Sequence, residues 1–350
     1  MPSEDPDGRK RTARRVVADA SEPAALEAQL RAAGAWLREG RLVAFPTETV
    51  YGLGANALDE AAVRRVFEAK GRPSFNPLIV HVEGAARVRE VAREFSEAAQ
   101  RLAARFWPGP LTIVLPRRAE VPDVVTGGLD TVGVRVPAHP VARALLRAAC
   151  VPLAAPSANP FTKVSPTTAQ HVLEQLGDRV DAVVDGGPTT VGIESTVVAL
   201  EPDGAGGERL VLLRLGCVGR DALEEAGFSV VEPAADEDDD AARRAPGRVE
   251  RHYAPGLPLV AVARGEDGAL ALPPRRGAFA VLSRGDARGA EDAALREVLP
   301  PDAAGFAREL YASLHRLAAS GCEVAFVERL PEAVDWQAVA DRLRRAGLEG

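Results

Sequence analysis

Short apolar runs recur along most of the chain, and between them lie stretches in which apolar residues return at every third or fourth position. The runs suit buried strands and the stretches suit amphipathic helices, so the pattern predicts an α/β fold. Residues 21–39 read as a helix: Ser21 stands at the N-cap, Leu26, Leu30 and Leu37 share a face, and Gly40 ends it. A strand over 42–45 stops at Pro46. A helix over 59–69 follows, capped by Asp59 with Val63, Val66 and Phe67 inward. The alternation continues with strand 78–82, helix 96–106, strands 111–115 and 131–136, helix 139–149 and strand 152–155. A helix opens at Thr167, where Gln170 has capping-box spacing, and strands 182–184, 196–200 and 210–213 close the segment. Consecutive short strands among helices predict a twisted mixed sheet covered by helices.

Periodicity then lapses from about 228 to 258, around the acidic run 236–240, which reads as a linker. Beyond it, strands at 259–262, 278–282 and 323–328 with helices at 303–320 and 336–346 predict a smaller, open α/β domain of Rossmann-like shape. The expected division is a disordered tail over 1–20, a first domain over 21–220, a linker over 221–257 and a second domain over 258–350.

Composition narrows the class. A chain of 350 residues, 46% of them hydrophobic, supports two domains, and no apolar run reaches membrane length. The polar N-terminus lacks the apolar core of a secretory signal, so a cytoplasmic protein is expected. A net charge of −7 argues against a general nucleic-acid binder that relies on phosphate neutralisation. Cys150, Cys217 and Cys322 are scattered, and the five histidines lack ligand spacing, so neither a disulfide framework nor a protein-bound transition metal is expected.

The candidate chemistry lies at strand ends, where open α/β sheets gather ligands. Only three of the 43 basic residues are lysines, and Lys70 opens the run Lys70-Gly71-Arg72-Pro73-Ser74-Phe75-Asn76-Pro77 before a strand ending at His81. A lysine kept where arginine otherwise prevails suits a site needing a compact ammonium. Two cations and an amide on a proline-stiffened loop suit a phosphate cradle, although cations at a helix end also suit its dipole. Other polar clusters are Pro46 to Asn56, Ala155-Pro156-Ser157-Ala158-Asn159 with Ser165 behind it, and Glu194-Ser195-Thr196. Thr131 and Arg135 lie on one strand, and Arg214 ends another. Gly52, Gly54 and Ala57 match a dinucleotide fingerprint, but without its tight strand-turn-helix setting. No Ser-His-Asp arrangement activates Ser157 or Ser195.

The runs P-T-E-T-V-Y-G-L-G, K-G-R-P-x-x-N-P-L-I-V-H, P-G-P-L-T, G-V-R-V-P, A-P-S-A-N, S-P-T and E-S-T-V-V occur in this order. Together they resemble the YrdC-type domain of threonylcarbamoyl-AMP synthases, in their long two-domain form. The resemblance is strong over 40–216 and extends to Pro246-Gly247 and Arg251-His252-Tyr253-Ala254-Pro255, although residues 245–250 lack the family's usual serine and methionine.

The resemblance implies a YrdC-like catalytic domain over 21–220, a linker acting as a lid over 221–257, and a Rossmann-like domain after it. It implies synthesis of threonylcarbamoyl-AMP and pyrophosphate from L-threonine, bicarbonate and ATP. The product would pass to transferase proteins that modify tRNA beside the anticodon, without stable tRNA binding here. Lys70 and Arg72 would be the catalytic cations. Arg72, Asn76, Thr131, Ser157, Asn159, Ser165, Arg214 and Tyr253 would hold ATP, with Tyr253 closing over the nucleotide. Thr49, His81, Arg135, the Ala155 backbone and Ser195 would hold threonine, its carboxylate on Arg135. Magnesium is expected to arrive with the triphosphate. An RNA-binding module is disfavoured by the acidic charge, and a hydrogenase-maturation carbamoyl transferase by the missing zinc-finger cysteines.

Overall fold

The computed structural model describes residues 12–204, 207–233, 252–274 and 276–349. The chain divides into two compact units. The first runs to residue 248 but leaves residues 162–165 and 191–193 to the second, which continues from residue 249.

The strands of the first unit are β1 (Arg14–Val17), β2 (Val43–Pro46), β3 (Tyr51–Asn56), β4 (Ile79–His81), β5 (Leu111–Pro116), β6 (Thr131–Arg135), β7 (Leu153–Ala154), β8 (Ala182–Asp185), β9 (Thr196–Pro202), β10 (Glu208–Arg214) and β11 (Val230–Val231). They form one sheet in the order β1-β8-β2-β3-β7-β4-β6-β5-β9-β10-β11. Pairing is mixed: β4 and β6 run parallel, while β3, β7 and β4 are successively antiparallel. Period-two alternation sorts β2 between two cores. Leu42 and Ala44 face a cluster that includes Val63, Val66 and Phe67 of helix Glu60–Lys70. Val43 and Phe45 face Leu30 and Leu37 of helix Pro23–Arg38 and Leu145 of helix Pro140–Ala149. The sheet is thus covered by helices on both faces.

Several expectations change. Residues 14–17 do not belong to a disordered tail: β1 pairs parallel with β8, and the Arg15 guanidinium bonds to Asp185. The first helix starts with Pro23 at its first turn, and the Ser21 hydroxyl donates to Asp19 instead of capping the helix. Tyr51 to Asn56 forms a strand despite Gly52 and Gly54. A Cβ on Gly54 would lie 2.8 Å from the Phe45 ring, so its small size lets the ring lie against the sheet. The expected linker over 221–257 is structured at its start, where helix Arg220–Glu225 leads to β11, parallel to β10. The acidic run 236–240 and residues Pro246, Gly247 and Arg251 lie outside the described residues.

The second unit contains β12 (Leu259–Val262), β13 (Phe279–Arg284), β14 (Leu295–Leu299), β15 (Val324–Glu328) and β16 (Leu348–Glu349), in the order β14-β13-β15-β12-β16 and parallel throughout. Helix Ala303–Ala319, capped by Asp302, covers it with Leu310, Leu314 and Leu317 buried. At the carboxyl end of β15 the buried Glu328 accepts bonds from Arg264, from the Arg284 side chain and from the Arg284 N–H. No described helix is long and apolar enough to cross a membrane.

Candidate active site

Helix Glu60–Lys70 delivers Lys70 at its last position. Asp59 caps the start by accepting the Ala62 N–H at 3.1 Å, and Gly71 ends the helix in the left-handed region at φ 61°. Lys70 is 2% exposed. Its Nζ donates to the Ser157 carbonyl at 2.6 Å and to the Asn159 carbonyl, and the Phe161 N–H donates to the Lys70 carbonyl at 2.7 Å. The loop after β7 is therefore strapped to the helix end. Burial, and after it the charge of Arg72, hold the proton affinity of Lys70 well below that of an ordinary lysine.

Arg72 is buried and braces the neighbouring loop: Nε donates to the Asn76 carbonyl at 3.3 Å and Nη2 to the Pro77 carbonyl at 2.9 Å. Asn76 is buried beside it. Pro77, Thr112 and Thr131 line one cavity of about 10 Å³, which connects this loop to the first residue of β6.

A second group forms where β4 lies parallel to β6 with His81 opposite Arg135. The Arg135 Nε donates to the Gly109 carbonyl at 3.2 Å and Nη1 to the Thr49 hydroxyl at 3.0 Å. Thr49 in turn lies 2.8 Å from the Thr47 hydroxyl. Arg135 Nη2 lies 2.6 Å from Glu48 Oε1, and both side chains are buried. That contact is off the hydrogen-bonding direction, so each atom pairs its charge while neither has a hydrogen-bond partner among the described residues. His81 is buried with Nδ1 also without a partner there; burial, then the Arg135 charge, hold its pKa down to about 3. It is neutral at physiological pH. Ala155 is fixed nearby through its N–H to the Ile79 carbonyl at 3.0 Å.

A third group centres on Ser195, which immediately precedes β9. Its hydroxyl lies 2.8 Å from that of Thr112, and Arg214 Nη2 donates to the Ser195 carbonyl at 2.8 Å. Arg214 thus sits on Ser195, although the family resemblance implies different substrates for the two.

Ser165 and Tyr253 lie in the second unit. The Ser165 carbonyl lies 3.1 Å from His315 Nε2. Tyr253 is buried, stacked on Tyr311 at 5.2 Å between ring centroids, with the Arg342 guanidinium 5.8 Å from its ring. Its φ of 63° is left-handed for a non-glycine residue.

Sequence reasoning missed Glu48 and Thr112. Glu48 had one visible signal, a carboxylate between two threonines directly after a strand. Nothing in its spacing tied it to a residue on β6. Thr112 is a hydroxyl at an inward position of an otherwise apolar strand, a signal that could have marked it. Among the described residues no His, Cys, Asp and Glu cluster could hold a metal ion.

Comparison with known proteins shows the family. Residues 35–216 match the Sua5, YciO and YrdC family, described as telomere recombination, and residues 218–347 match the threonylcarbamoyl-AMP synthase C-terminal domain. The threonylcarbamoyl-AMP synthase of Pyrococcus abyssi is 42% identical over 330 residues, covering 91% of this chain and 94% of that protein. That of Bacillus subtilis is 45% identical over 232 residues, covering 66% of each chain. The crystal structure of P. abyssi Sua5 complexed with L-threonine superposes with a TM-score of 0.82 at 40% identity, covering 95% of this chain and 97% of that one. The chain belongs to the threonylcarbamoyl-AMP synthase family, in its two-domain form.

Proposed function

We infer that this chain makes threonylcarbamoyl-AMP and pyrophosphate from L-threonine, bicarbonate and ATP. The observation that carries the reading is a buried ammonium, Lys70, bonded to the Ser157 and Asn159 carbonyls and close enough to Arg72 to feel its charge. The Arg135–Thr49 group joins β6, which lies parallel to β4, to the loop after β2. One group suits phosphate and carbamate oxygens, and the other suits an amino acid.

The chemistry needs charge placement more than a nucleophilic side chain. Threonine ammonium and bicarbonate give the carbamate with loss of water and a proton. A carbamate oxygen then attacks the α-phosphorus and pyrophosphate leaves. Arg135 and Thr49 would hold the amino acid, with Ser195 completing the pocket and His81 contributing a neutral ring. Lys70 would stabilise negative charge growing on the transferring phosphoryl group, and Arg72 would keep the Asn76 loop in place beside it. Magnesium would enter bound to the triphosphate. The product would serve proteins that modify tRNA in the cytoplasm.

The test is incubation with ATP, bicarbonate and a panel of amino acids while pyrophosphate is followed. Turnover is expected with threonine alone and is lost when bicarbonate is omitted. Equal turnover with other amino acids, or none with threonine, overturns the reading.

A further inference from the structure

Two complementary atoms stand together without hydrogen-bond partners among the described residues: Glu48 Oε1, an acceptor, and Arg135 Nη2, a donor. They lie 2.6 Å apart as a buried ion pair. Everything else about the pair is fixed. Glu48 Oε2 accepts the Ala138 N–H at 3.1 Å, and the Glu48 carbonyl accepts the Thr190 N–H at 3.1 Å. Arg135 is held through Gly109 and Thr49. A buried charge pair whose facing atoms are unaligned is incompletely compensated, because Glu48 Oε1 and Arg135 Nη2 have lost water and found Coulombic but not directional replacement among the described residues.

We propose that Glu48 is a specificity-determining residue, and that the Glu48–Arg135 pair opens to take the two charges of a zwitterionic amino acid. The ligand carboxylate would align with the Arg135 guanidinium and its α-ammonium with the Glu48 carboxylate. The proposal rests on the reading that Arg135 receives the threonine carboxylate. It adds a second charged anchor that nothing in the sequence had joined to the first.

The pair itself is charge-neutral before binding, because Arg135 offsets Glu48, and the neighbouring His81 carries no charge. A neutral zwitterion preserves that balance. A lone carboxylate entering on Arg135 strands Glu48 beside a second anion, and a lone amine entering on Glu48 strands Arg135. The pair therefore selects against ligands that carry only one of the two charges, which is discrimination by an unpaired buried ion.

The test is calorimetric titration of the full chain, without nucleotide, using L-threonine, 3-hydroxybutyrate (threonine without its amine) and 1-amino-2-propanol (threonine without its carboxylate). Wild type should bind threonine at least tenfold more tightly than either single-charge analogue. In Glu48→Gln, which keeps an acceptor for the Ala138 N–H, threonine should weaken about tenfold while 3-hydroxybutyrate binds as well as before or better. A merely structural role would weaken both ligands together. The proposal is overturned if wild type binds 3-hydroxybutyrate as tightly as threonine, or if the variant keeps the wild-type ratio between them. Should Glu48→Gln fail to fold, the wild-type comparison alone decides. Serine and valine in the same titration separate the two readings: binding of other zwitterions in place of threonine refutes the assigned substrate but leaves the role of Glu48 standing.

Discussion

At the scale of single residues, the site consists of charges placed where solvation is poor. Lys70 shows this most directly, because its ammonium is bonded to two carbonyls and has no carboxylate partner among the described residues. Lys70→Ala should lower kcat/KM by an amount worth about 3 kcal/mol, the usual loss of a preorganised electrostatic group. Lys70→Arg should also be impaired, because a planar fork does not fit between two fixed carbonyl oxygens; wild-type turnover in that variant would remove Lys70 from the mechanism. Burial and Arg72 depress its proton affinity, so an incoming triphosphate should restore it. Nucleotide binding at alkaline pH should then take up a proton, read as a dependence of the binding enthalpy on buffer ionisation. His81 gives a second pH prediction. Unfolded histidine protonates near 6.5, whereas the folded ring resists until about 3. Its stabilising share is complete above the unfolded value and shrinks as pH falls, by about 2 kcal/mol at pH 5. In urea melts, wild type should lose about 2 kcal/mol more unfolding free energy between pH 7 and pH 5 than His81→Asn, and equal losses would contradict a buried neutral ring.

At the scale of elements, strand ends bring distant residues to one place. The Thr112 hydroxyl, from within β5, holds the Ser195 hydroxyl at the start of β9. Thr112→Val should keep the fold and raise the KM for threonine, with about 1 kcal/mol lost from the unmade bond; an unchanged KM would leave Thr112 purely structural. Much of this arrangement was legible beforehand. Short apolar runs and capping residues located β2, β4, β5, β6 and helix Glu60–Lys70, and the motifs marked Lys70, Arg72 and Arg135. What escaped had physical causes. Glycines made β3 read as a loop, because the Phe45 ring that requires their small size comes from the neighbouring strand. β1 is a four-residue strand whose exposed and half-buried side chains lack an apolar run. The Glu48–Arg135 contact joins residues 87 positions apart in the chain and exists only once β4, β6 and the loop after β2 are assembled.

At the scale of the whole molecule, two α/β units carry different kinds of strand edge. The first unit gathers its polar groups around buried cations, Lys70 bonded to two carbonyls and Arg135 facing Glu48 out of line. The second unit closes its own edge. Parallel sheets commonly bind ligands just beyond the carboxyl ends of their strands. Here Glu328 draws in Arg264 and Arg284 at the ends of β15 and β13, and Arg264 also pairs Asp286. Glu328→Ala would leave two guanidinium groups without their shared anion. It should destabilise the second unit by about 3 kcal/mol, read as faster amide exchange in β13 and β15 than in β4 and β6. The same ion-pair network has a consequence for stoichiometry. With that crevice already filled by the protein's own side chains, equilibrium dialysis against ATP should saturate at a single molecule per polypeptide.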